Sequence, residues 1–211
     1  MLRAMAFIDY QNFDIALKNY FRMLKKEFPR LDYHKMAGNL CDKIPLHAGE
    51  SAGPRIQLLK TMLFVPEPDE FLLTDNFWKE YDRSLSGLQA KPFLDVIKGR
   101  FMSYPVDADV PMDIANRRTF YKVEKGTDIN IAANMLTMAF NNSYDIAILV
   151  SSDSDYKTVL TTLRTFGKLS FIATVEGQVS KLAEAADSQF TMSEGFFETS
   201  LRKRDFAHGK T

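Results

Sequence analysis

Four aspartates carry the chemistry that this sequence suggests. Two of them, Asp153 and Asp155, stand one residue apart in Tyr144-Asp-Ile-Ala-Ile-Leu-Val-Ser-Ser-Asp-Ser-Asp-Tyr156, after an apolar run from Ile146 to Val150. Carboxylates this close repel each other unless a cation or a proton lies between them. Asp9 ends a second apolar run, Ala4 to Ile8, and is followed by Asn12. Asp128 comes directly after Lys125-Gly-Thr127, in the first turn of a helix predicted over roughly Asp128 to Phe140. Each acid has a purely structural reading. Asp128 could favour a helix amino terminus, worth about 0.3–1 kcal/mol. Asp153 or Ser154 could cap a helix for about 1 kcal/mol, and Asn12 could do the same. The joint pattern shifts the weight, because all four can converge on one sheet edge with Ser151, Ser152 and Asn12 around them. An oxygen-only set of this kind suits Mg²⁺ or Mn²⁺. No His or Cys accompanies the acids, which argues against zinc.

The elements that would position these residues follow one grammar, a short buried strand, a polar turn and then a helix. An all-apolar run such as Ile146–Val150 reads as a strand covered on both faces in a parallel sheet. Acids that follow such strands lie at their carboxyl ends, where open α/β sheets keep their ligand sites. Helical patterns follow Asp9 (Phe13, Leu17, Phe21, Leu24) and Asp155 (Val159, Leu160, Leu163, Phe166). In the predicted helix over 128–140, Ile129, Ala132, Ala133, Leu136 and Phe140 share one face. A helix is expected over 71–90 with a stripe of Phe77, Trp78, Tyr81, Leu85 and Leu88. Strands are expected at 58–65, 93–104, 169–173 and 187–192, and a short helix at 178–185. Arg117 to Gly126 reads as an extended, basic and aromatic approach to the next helix. Alternation of strands and helices implies a mostly parallel sheet with helices on both faces. The pattern leaves the strand order open.

Composition sets outer limits. Among 211 residues, 27 Lys+Arg balance 27 Asp+Glu, so bulk positive charge is not how this chain would hold nucleic acid. The single cysteine, Cys41, rules out an internal disulfide and fits a reducing compartment; on a helix at 33–43 it reads as a small buried side chain. His34 and His47 lack metal-ligand spacing. The amino terminus reaches a charge too early for a signal peptide and no run is long enough to span a bilayer, so a soluble, cytoplasmic protein is expected. One domain is expected over 1–195, with a Pro/Gly-broken insertion at about 30–55 that could cover the site or form a homodimer contact. A basic polar tail is expected over 196–211.

The residues also resemble a known family. Phe7-Ile-Asp9-Tyr-Gln-Asn12, Lys125-Gly-Thr-Asp128-Ile-Asn-Ile-Ala, and Leu149-Val-Ser-Ser-Asp153-Ser-Asp155-Tyr resemble the three motifs of NYN domains. These belong to the PIN-like nuclease superfamily, and the LabA-like group is the nearest. Gly167-Lys168 and the stretch from Ser180 to Phe190 resemble that family's carboxyl-terminal part. The resemblance implies a Rossmann-like, three-layer α/β/α fold and a divalent-metal-dependent ribonuclease. It implies Asp9, Asp128, Asp153 and Asp155 as catalytic metal ligands and in-line hydrolysis that leaves a 5′-phosphate and a 3′-hydroxyl. Asn12, Ser151, Ser152, Lys125 and Lys157 would then contact single-stranded RNA, with Mg²⁺ or Mn²⁺ as cofactor and no membrane partner. Arg117, Arg118 and Lys122, interleaved with Phe120 and Tyr121, could guide the strand. Asp187 also matches and reads as supporting or structural. A different class of function, an RNA-binding or regulatory module that cleaves little, shares the fold. A haloacid-dehalogenase phosphatase fits less well because Lys157 stands where that family wants Thr. A glycosyltransferase would leave Asp9 and Asp128 unexplained.

Overall fold

The computed structural model describes residues 1–45 and 55–202. His47, Gly49, Gly53, Pro54, Lys203 and Arg204 lie outside them, and with them residues 46–54 of the expected insertion and 203–211 of the basic tail. Strands β1 (Leu2–Asp9), β2 (Ile56–Glu67), β3 (Leu94–Pro105), β4 (Phe120–Lys125), β5 (Ile146–Val150), β6 (Leu169–Val175) and β7 (Ser188–Met192) form one sheet. Its order is β4-β3-β2-β1-β5-β6-β7. Every pairing is parallel except β3 with β4. Helices α1 (Tyr10–Met23), α2 (Tyr33–Cys41), α3 (Asn76–Gln89), α4 (Thr127–Phe140), α5 (Lys157–Thr165) and α6 (Glu194–Thr199) complete the α/β fold. Among the described residues, no helix is long and apolar enough to cross a membrane.

Alternation along the strands divides the core in two. Ala4, Ala6 and Ile8 of β1 join Phe13 and Leu17 of α1, Met36 and Leu40 of α2, Leu85 of α3 and Phe197 of α6. Met5 and Phe7 join Ile131 and Met135 of α4 with Leu160 and Leu163 of α5 on the other face. The period of two in side-chain direction produces this three-layer arrangement from a strand whose Ala4 to Asp9 are all buried. The same parity carries Asp9 to the α4–α5 side.

Strand order decides where a ligand can sit. From β1 the chain moves outward through β2, β3 and β4, then returns to the other side of β1 for β5, β6 and β7. The connections therefore diverge between β1 and β5, and the crevice at such a switch point is where open α/β sheets bind ligands. Asp9 and Ser151 leave β1 and β5 at that crevice. Asp9 is level with Phe64 of β2, and Phe64 with Ile97 of β3, so β3 and β4 continue past it as a two-stranded ribbon.

Several expectations change. The basic approach at 117–126 becomes the antiparallel edge strand β4. On α4 the buried residues are Thr127, Ile131, Met135 and Ala139, whereas Ile129 and Phe140 are 74% and 76% exposed. Its sequence is so uniformly apolar that the pattern cannot choose a face; close packing at its first turn does. On the 71–90 segment Asp75 caps α3 after a separate 3₁₀ turn at Leu72–Thr74, and Phe77 is exposed. The expected helix at 178–185 is a loop and a 3₁₀ turn, Lys181–Glu184, because Gln178 uses its side chain to accept from Val175 N. Helix α6 crosses the expected domain end at 195 and buries Phe196 and Phe197.

Candidate active site

Asp9 is built into the turn it occupies. It is the N-cap of α1, accepting from the Asn12 N–H at 3.2 Å, and only 4% of it is exposed. Its other oxygen accepts from Ser151 Oγ at 3.0 Å, and Ser151 Oγ in turn accepts from the Asp153 N–H at 3.1 Å. Asp153 is thus tied to Asp9 through a serine hydroxyl rather than by direct contact. Its own Oδ1 caps the following 3₁₀ turn by accepting from Asp155 N at 2.9 Å, and Asp155 lies exposed in that turn.

Asp128 reaches the same place from the opposite strand pair. Gly126 makes the turn from β4 into α4 at φ +83°, a conformation that costs a residue with a Cβ dearly. Gly99 of β3 lets Thr127 close in, since a Cβ there would lie 2.2 Å from Thr127 Oγ1. Asp128 Oδ1 then accepts from Tyr156 Oη at 2.8 Å, and Tyr156 Oη also lies 3.4 Å from Asp9 Oδ2. A phenol has one proton. Donated to Asp128, it leaves two acceptor oxygens facing each other at Asp9, unless a proton or a cation joins them.

The electrostatics agree. Burial pushes the Asp9 carboxyl up to about 6, and the charges of Asp128 and Glu124 add to the rise against the Asn12 and Ser151 hydrogen bonds. Glu124, near the end of β4, is raised by burial and by Asp128. Tyr156 is raised by burial first, then by the charges of Asp9 and Asp128. Neighbouring carboxylate charge thus adds to burial in opposing ionisation of Asp9 and of Glu124. Among the described residues, no three His, Cys, Asp or Glu side chains are arranged to hold a metal ion. The geometry brings together Asp9 and Asp128 through Tyr156, and Asp9 and Asp153 through Ser151.

A neutral network closes the other wall. Asn12 Oδ1 accepts from Ser152 N and Ser152 Oγ, both at 3.1 Å, and from Gln178 Nε2 at 3.4 Å. Gln178 Nε2 also donates to Ser152 Oγ at 2.8 Å. The first turn of α1 and the loops after β5 and β6 are thereby locked together, and among the described residues the Asn12 Nδ2 group has no partner.

The remaining expected contacts lie further out. Lys157 pairs with Glu184 at 3.3 Å, and Lys125 is exposed at the end of β4. Lys122 rests over the Phe101 ring, 3.9 Å from its centroid, while Phe120 packs edge-on against Phe71. Asp187 accepts from Ser170 N at 2.7 Å, near the amino end of β6 and away from the crevice, which makes it structural. A cavity of about 350 Å³ between Tyr33, His34, Leu88 and Phe93 lies away from all these acids. Sequence reasoning did not single out Tyr156, Glu124 or Gln178. Tyr156 was in view, one residue past the aspartate pair, and Glu124 was four residues before Asp128. Gln178 could have been found as a polar residue just past the end of a buried strand.

Comparison with known proteins bears on the fold and the family. The family model described as NYN domain matches residues 87–194. The match leaves β1, with Asp9 and Asn12, outside its span. A crystal structure of a Vibrio parahaemolyticus protein of unknown function is similar over 95% of this chain and 96% of its own, with a TM-score of 0.51 and 13% identity. That likeness shows a shared fold. No curated protein matches.

Proposed function

The chain belongs to the NYN domain family of the PIN-like nuclease superfamily, and from that premise we propose that it hydrolyses phosphodiester bonds of single-stranded RNA at the crevice between β1 and β5. NYN domains have a nuclease-like fold, and PIN-like nucleases generally use divalent metals. The observation that carries the proposal is the Tyr156 hydroxyl lying between two carboxylates from different elements, Asp9 and Asp128.

The donor set fits a small hard cation. Mg²⁺ is commonly held by one or two carboxylates, the other positions being filled by water and phosphate oxygens. Asp9 and Asp128 are such a pair, and their mutual repulsion is what a divalent charge would relieve. Once bound there, Mg²⁺ or Mn²⁺ supplies neutralisation of the scissile phosphate and a water of lowered pKa.

The chain's own residues have separate tasks. Tyr156 holds the Asp128 carboxylate in place through its hydroxyl, and Ser151 holds Asp9. Asn12, with its oxygen committed to three donors, keeps Nδ2 for a phosphate oxygen. Ser152 fixes that amide. Asp153 adds negative charge beside the pair, and Lys125, with Lys157 once it leaves Glu184, meets the flanking phosphates. Water adds to phosphorus, the bond to the 3′ oxygen breaks, and the products carry a 5′-phosphate and a 3′-hydroxyl.

One observation favours the alternative, an RNA-binding module with little cleavage: only two carboxylates share the Tyr156 hydroxyl. Labelled single-stranded RNA with Mn²⁺, incubated with the protein and with Asp128→Asn, decides between them. Asp128 is exposed, so the variant should fold. Cleavage by the wild type that the variant loses supports hydrolysis. Equal cleavage by both would mean that another protein is responsible, and no cleavage with metal-independent RNA binding favours the module.

A further inference from the structure

Beside the crevice runs a groove of about 240 Å³ between α1 and the turn after β6. Asn12, Ile15, Ala16, Asn19 and Met23 form its α1 wall, and Glu176, Gly177 and Gln178 form the other. The α1 residues are spaced i, i+3, i+4, i+7 and i+11, a single helical stripe. Ala16 on this stripe is buried, but its outer residues are not covered by the fold. Ile15 is 52% exposed and Met23 68% exposed, and they lie on either side of the uncharged amide of Asn19.

Resting on the hydrolysis reading, we propose that this groove receives the nucleobase next to the scissile phosphate and selects which base stands there. Position supports it, because Asn12 and Gln178 belong both to the groove and to the network that borders Asp9. Charge supports a base over a phosphate. Among the described residues no Lys or Arg lines the groove, and Glu176, which accepts from Tyr20 Oη at 2.6 Å, puts a carboxylate on its wall. Size suits a single base, since the groove is smaller than sites for drug-sized ligands, which run from about 300 to 1,000 Å³. The chemistry matches how single-stranded RNA is read, with a splayed base against apolar side chains and its edge hydrogen-bonded. Asn19 Oδ1 accepts from Arg22 Nη1 at 3.2 Å, which orients the amide and leaves Nδ2 to donate to a base acceptor. Good base contacts of this type discriminate by about 5- to 150-fold.

Two measurements test this, one of them independent of cleavage. In the first, products from a random-sequence RNA pool are sequenced at their ends. The wild type should show a bias at one position beside the cut, and the cuts made by Asn19→Ala should show that bias flattened at least fivefold. In the second, Asp128→Asn protein is titrated with tetranucleotides, normal or lacking one base, and the Asn19 side-chain amide and Gly177 N–H are followed by NMR. Shifts should appear with the base, disappear without it, and disappear in Ile15→Glu. Base-dependent shifts without any cleavage would keep the groove and reject hydrolysis. Cleavage with no base bias, or equal shifts from the oligonucleotide lacking the base, overturns the groove assignment.

Discussion

Replacing Asp9 by Asn should stabilise the protein above neutral pH and leave it nearly unchanged near pH 4. The buried carboxyl titrates at about 6, against 3.8 in the open chain, chiefly because burial disfavours its charge. At about 1.4 kcal/mol per pH unit, that difference of about two pH units sets ~3 kcal/mol as the stability lost when Asp9 ionises. For an acid raised on folding, the native chain binds more protons than the unfolded chain between 3.8 and about 6. Stability from this group is therefore fully present below 3.8 and falls as pH rises through 6. Asn has nearly the same shape, caps helices as well as Asp does, and carries no charge to bury. It must place its NH₂ against Ser151 or Tyr156, which reduces the gain. We expect Asp9→Asn to be about 1–3 kcal/mol more stable than the wild type at pH 8, with the advantage shrinking towards pH 4. For a chain of this size, that is a rise in Tm of roughly 2–4 °C per kcal/mol. Urea unfolding of both proteins from pH 4 to pH 8 measures it, and other titrating groups cancel in the difference. A variant less stable by the same amount at every pH would refute the reasoning, because Asp9 would then act through hydrogen bonds rather than through a buried charge. Mn²⁺ adds a second readout. A cation that binds only the folded protein raises its stability according to its concentration, and the variant should lose that increment.

Other expectations follow from the same geometry. Tyr156→Phe keeps the ring but removes the hydroxyl from Asp128 and Asp9; partners that orient metal ligands are typically worth about 10- to 100-fold in metal affinity. Calorimetric Mn²⁺ titration should show a loss of that size, and an unchanged affinity would deny Tyr156 its positioning role. Gly99→Ala places a methyl 2.2 Å from Thr127 Oγ1, so α4 must shift at its first turn for about 1–3 kcal/mol; equilibrium unfolding checks the cost, and cleavage should fall with it as Asp128 moves. Asn12→Ala removes the acceptor shared by Ser152 and Gln178. Loss of about 1–3 kcal/mol from the orphaned donors should appear in urea unfolding, together with reduced cleavage.

Much of this protein was legible without coordinates. Asp9 and Asp153 were found as polar residues after buried strands, since a strand covered on both faces must be apolar until it reaches the sheet edge. The same rule located β1 and β5 and gave the α/β class. The sheet order was not readable, because β1 could neighbour any of several equally apolar strands; the fold put it between β2 and β5, and so created the crevice. Local spacing could not distinguish a capping Asp153 from a site residue either. The structure gives it both connections, a cap on Asp155 and a link to Asp9 through Ser151.

What the sequence determined by itself was where each acid stands along the chain and which kind of element precedes it, since strand and helix periodicity are local properties. Tertiary structure alone decided which acids meet. Asp9 and Asp128 are far apart in sequence, and they share the hydroxyl of Tyr156 because β4 turns at Gly126 and α4 packs against Gly99. The face that α4 buries was decided there too, by close packing of Thr127 on the β3 backbone at Gly99, which no hydrophobic pattern encodes.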